Sequence, residues 1–150
     1  DPVLMLDTLS TGPAARLACS LTGGIQLRLG ENALLTIDEA VLGRPRSGLV
    51  LRAQGGPLLI EREPAPGQPP LSVTLPWARI GVRGTRFFAG PLDGVNAIFV
   101  ARGRVAVEAA TGSVTLEAGD GVDIPPGGGE PGPVRRWGEA RIARAMASVS

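Results

Sequence analysis

Apolar residues at every second position recur through the first two thirds of the chain. In "IQLRL" Ile25, Leu27 and Leu29 share one face, with Gln26 and Arg28 on the other. "LSVTL" repeats the pattern with Leu71, Val73 and Leu75, "RVAVEA" with Val105 and Val107, and "SVTLEA" with Val114 and Leu116. A period of two over five or six residues marks a half-buried strand and is incompatible with a helix of the same length. Between the runs lie glycine-centred turn signals: "TGG", "LGEN", "LGRPRSG", "AQGG", "PLDG", "ARG", "ATG" and "AGDG". Short strands at this spacing predict an all-β protein of about a dozen strands, a two-sheet sandwich or jelly roll, with a β-roll or β-solenoid stack as the alternative.

Two proline-rich stretches interrupt the pattern. "EREPAPGQPP" (61–70) reads as an exposed loop, because its prolines cannot donate ladder hydrogen bonds. "PPGGGEPGP" (125–133) reads as a linker that ends the β part. Beyond it the period changes. Val134, Ile142, Ala145, Met146 and Val149 fall on one arc of a helical wheel, with Trp137 at its edge. Residues 1–133 are therefore read as a β domain, and 134–150 as a short helix that docks on it and buries Trp137.

Composition narrows the chemistry. The 150 residues suit one domain. There is no histidine, tyrosine or lysine, so all 15 basic residues are arginine. Ser-His and Cys-His pairs are excluded, as are histidine metal sites and lysine nucleophiles. A net charge of +1 predicts no nucleic-acid partner. No apolar run approaches the ~20 residues that span a bilayer. Cys19 shares its parity with Ala15, Leu17 and Leu21 in "ARLACSL" and reads as a small core residue, not a reactive thiol.

Acidic residues offer little. Asp38 and Glu39 are neighbours on a strand, so they face opposite ways. Asp120 and Asp123 sit near glycines without calcium-loop spacing and read as turn formers. Glu61 and Glu63 share a parity and read as a solvated face that could otherwise meet a carbohydrate. "LEAGDGVDIPPGG" is similar to a cupin turn, but cupin metal chemistry needs histidines. No metal, cofactor or catalytic residue is expected.

"GVRGTRF" (81–87) has the glycine density of a phosphate loop, yet no lysine or helix follows it. Parity is more informative. Ile80 and Val82 share one face, and Phe87 can join them only if the inward set switches from even to odd. A β-bulge supplies the extra residue, and Gly84 tolerates the angles it needs. Arg79, Arg83 and Arg86 then share an outer or inter-sheet face. They either pair with the chain's own carboxylates through planar forks or contact an anion or a partner.

"LPWARIGVRGTRFFAG" resembles the most recognisable segment of the FecR domain family, a strand ending in Gly-[Val/Ile]-Arg-Gly-Thr-Arg-Phe. "LSTGPAARLACSL", "GGIQLRLGENALLTID" and "NAIFVARGRVAVEAATGSVTLEAGDGVDI" are similar to its other strands. The resemblance marks Gly81, Arg83, Gly84, Thr85, Arg86 and Phe87 as a structural signature and implies a periplasmic or secreted β domain. Sigma-regulating members also carry a cytoplasmic segment, a membrane helix and a further C-terminal domain; none lies within these 150 residues. The expected function is a non-catalytic interaction module of the cell envelope, possible in signalling, that binds a protein partner or itself. A carbohydrate or envelope-polymer module is the alternative, for which only Trp77 and Trp137 could give stacking platforms. An enzyme using paired carboxylates is the remote third reading. Self-association is expected at an N-terminal strand edge formed by "DPVLML" (1–6).

Overall fold

The computed structural model describes residues 7–21, 24–39, 49–63, 71–92, 94–109, 112–125 and 131–149. Twelve strands follow one another in the chain: β1 (Asp7–Ser10), β2 (Leu17–Leu21), β3 (Ile25–Leu29), β4 (Ala33–Glu39), β5 (Leu49–Gly55), β6 (Leu58–Arg62), β7 (Leu71–Leu75), β8 (Ala78–Leu92), β9 (Val95–Ala109), β10 (Gly112–Glu117), β11 (Asp120–Ile124) and β12 (Arg135–Arg136). One helix, α1 (Glu139–Val149), closes the chain. The expected mostly-β domain of about a dozen strands with a short C-terminal helix is the observed one.

Its two layers are the legs of one curled sheet. β8 and β9 are 15 residues each and pair along their lengths. The first half of β8 pairs with β7, through Leu71↔Val82, and its second half with β6, from Glu61↔Arg86. One leg thus runs β1-β4-β5-β7-β8-β9-β10, with β5 and β7 parallel. The other runs β2-β3-β6-β8-β9-β11-β12.

The main core fills the space between the legs. Ile25, Leu27 and Leu29 of β3 face Leu35, Ile37, Leu51, Val73 and Ile80, all buried in one cluster. Each such side chain removed from water is worth about 1.5–3 kcal/mol. A second cluster lies on the outer face of the β6-bearing leg. There Leu59, Phe88, Leu92, Ala97 and Phe99 are covered by Ala145 and Val149 of α1, with Trp137, Ile142 and Met146 at its margin. This explains the unbroken apolar runs "FFAG" and "AIFV": strands covered on both faces need no polar side. Phe87 enters the main core and Phe88 lies under the helix, both fully buried.

Two local readings are corrected. The helix does not begin at Val134, which is 40 % exposed. Arg135 and Arg136 instead extend the ladder of β11, and the Trp137 N–H donates to the Gly119 carbonyl, because main-chain groups at a sheet edge are satisfied first by pairing. Trp137 is largely buried at the margin of the second cluster. "ARG" (101–103) is no turn: it lies within β9, where Gly103 kinks the strand at φ +84°. Cys19 is half-buried against the main core. "DPVLML" lies outside the described residues, as do 64–70 and 126–130 of the proline-rich stretches.

Candidate functional site

The corner where β8 and β9 bend is built by the 81–87 motif. On β8 the inward residues are Ile80 and Val82 before the corner and Phe87 and Ala89 after it. On β9 they are Ile98 and Val100, then Val105 and Val107. Both strands switch parity at the same level. The register steps from Arg83↔Arg104 to Arg86↔Arg102 and then to Phe87↔Val100, so each strand carries one locally unmatched residue. Gly84 has φ +43°, a region in which a β-branched side chain is strained.

Two further contacts hold the corner. A Cβ on Gly103 would stand 2.6 Å from the Gly84 carbonyl oxygen and 2.9 Å from Thr85 Oγ1, so only glycine lets the two backbones meet. Thr85 is fully buried, and its hydroxyl donates to the Arg104 carbonyl at 3.0 Å. Gly81, by contrast, is exposed with open space around it.

The arginines of the motif stand on either side of the bend. Arg79, seven residues before Arg86, is exposed between Thr74 and Glu108. Arg86 is exposed between Glu61 and Arg102. Arg83 is opposite Arg104 in the ladder. The chain's carboxylates go mainly to other arginines. Glu61 and Glu63 each approach Arg102 at 3.5 Å, Glu117 holds Arg104 at 2.7 Å, and Asp123 holds Arg141 at 2.6 Å. Arg79 and Arg86 make no ion pair among the described residues.

One residue at the corner escaped sequence reading. The loop expected over 61–70 includes Arg62, but it is the last residue of β6 and only 3 % exposed. Its parity with Leu58 and Ile60 was the available signal. Its Nε has no hydrogen-bond partner, and burial lowers its pKa from the ordinary guanidinium value.

The remaining candidates resolve into structural roles. Asp120 accepts the Glu117 N–H at 3.2 Å, as a turn aspartate does. Among the described residues no group of acidic or cysteine side chains could hold a metal. Trp77 packs against the main core. Trp137 stacks on Phe99 at 4.9 Å between ring centroids, with the Arg141 guanidinium 4.2 Å from its ring. Neither indole is an open platform for a sugar.

The motif residues thus build a corner of a curled β domain, and Glu61, Glu63, Glu117, Asp120 and Asp123 are engaged in ion pairs. The family model for the FecR protein matches residues 7–116, and the chain belongs to that family. Its domains are extracytoplasmic and non-catalytic. Two crystal structures of a protein assigned as an anti-sigma factor, from Parabacteroides distasonis ATCC 8503, share the fold. They superpose with TM-scores of 0.77 and 0.76 at 15% identity, covering 93% and 92% of this chain. The chain corresponds to 63% of the length of each. No curated protein matches the chain. Among the described residues no helix is long and apolar enough to cross a membrane.

Proposed function

We propose that this chain is an envelope interaction module that binds a protein partner, or a second copy of itself, and does so in signalling. Membership of the FecR family carries the reading. The exposed arginines Arg79 and Arg86, which have no counter-ion among the described residues, support it, and Arg83 joins them as a contact residue. Among the described residues β1 pairs only with β4 and stands at one end of the sheet path, which supports strand addition at that side.

A photo-crosslinker at position 86, used on envelope fractions, should give one discrete protein adduct that is lost in the Arg79→Ser, Arg83→Ser, Arg86→Ser triple variant. Light scattering across a wide concentration range identifies self-association. A monomer at every concentration, with no adduct, sinks the reading. Genes for a sigma factor and an outer-membrane receptor beside this one would favour the signalling role.

A further inference from the structure

Arg62 stands where the sheet divides. Glu61↔Arg86 is the last pair recorded between β6 and β8, and β8 then continues back toward β7 through the bulge. On its other side Arg62 is opposite Ile25 of β3. Its inner-face parity directs it away from Glu61 and Glu63, which are engaged with Arg102. A cation at 3 % exposure, with an unpartnered Nε and no ion pair among the described residues, is costly. Burial accordingly lowers its pKa, yet a guanidinium stays protonated at neutral pH.

The charge around it is unbalanced in the same sense. Arg86 is opposite Arg102 across the ladder, a like-charge pair that destabilises a sheet. On that exposed face Glu61 and Glu63 approach Arg102 and Glu117 holds Arg104, so none of these carboxylates turns to Arg62. Arg62 is thus a buried cation whose Nε has no partner and for which the described residues supply no anion.

We infer that Arg62 is the acceptor for a carboxylate side chain of an acidic segment in the bound protein. The inference rests on the partner-binding reading above and gives that partner its chemistry. A carboxylate fits better than a phosphate ester. It is planar, matches the guanidinium fork, is slender enough to reach a nearly buried group, and brings one charge to one cation.

The test is titration of the purified chain, at low salt, with hexaglutamate, hexaglutamine and inorganic phosphate. Hexaglutamate alone should bind, and should shift the Arg62 Nε–H resonance. Arg62→Met should weaken its binding at least tenfold while the melting temperature stays equal or rises, because an uncompensated buried charge has been removed. Arg16→Met, an exposed arginine outside the corner, should change binding by less than twofold. Equal hexaglutamate affinity in Arg62→Met overturns the site. So does a silent Nε–H resonance in the unmodified chain, a readout that holds even if the variant does not fold. Phosphate that binds as tightly as hexaglutamate would overturn the carboxylate assignment. A discrete crosslinked partner that Arg62→Met still binds would sink this inference and leave the interaction module standing.

Discussion

The indole nitrogen of Trp137 lies directly on the backbone of Gly121, in the space a Cβ would occupy. Gly121 is buried in β11, opposite Phe99 of β9, and Trp137 stacks on that same phenylalanine. The absence of one side chain thus gives the indole its seat, and the indole anchors the segment that leads into α1. Gly121→Val should unseat it and cost about 1–3 kcal/mol. In a Trp77→Phe background the emission of Trp137 should move to the red. Unchanged emission would show that the stack does not depend on this glycine.

Removal of the chain after Pro133 takes away the cover of Leu59, Phe88 and Phe99. Loss of Ala145, Val149 and the Trp137 stack should cost a few kcal/mol, which lowers the melting temperature by about 5–10 °C. The truncated chain should also bind a hydrophobic dye through the bared face. An unchanged melting curve would show that α1 contributes nothing to stability.

The corner makes a graded set of glycine predictions. Gly103→Ala meets both a positive φ and the Gly84 carbonyl, and should destabilise by about 2 kcal/mol or more. Gly84→Val should cost about 1–3 kcal/mol through backbone strain. Gly81→Val, in open space on an extended strand, should be neutral or stabilising. Chemical denaturation of the three variants checks the order, and equal tolerance at all three would refute the bulge as the source of the bend.

Surface ion pairs at the corner should matter little to stability. Glu63 is 70% exposed and 3.5 Å from Arg102, so Glu63→Gln should change stability by less than about 0.5 kcal/mol. A larger loss would mean that the arginine network holds the corner together.

Alternation alone identified β3, β7, β10 and the second half of β9, because a side chain must point either into the core or out of it. The same parity located the switch between Val82 and Phe87, and it placed Arg62 with Leu58 and Ile60 for a reader who followed it past the glutamates. Local pattern could not show that β8 and β9 run unbroken through the corner, since the glycines that bend them also resemble turn signals. Nor could it show that 135–136 form strand, because that choice belongs to the free edge of β11. The isolation of Arg62 was likewise decided only in three dimensions: where a charge lies follows from parity, but whether a counter-ion reaches it depends on which strands the fold makes neighbours.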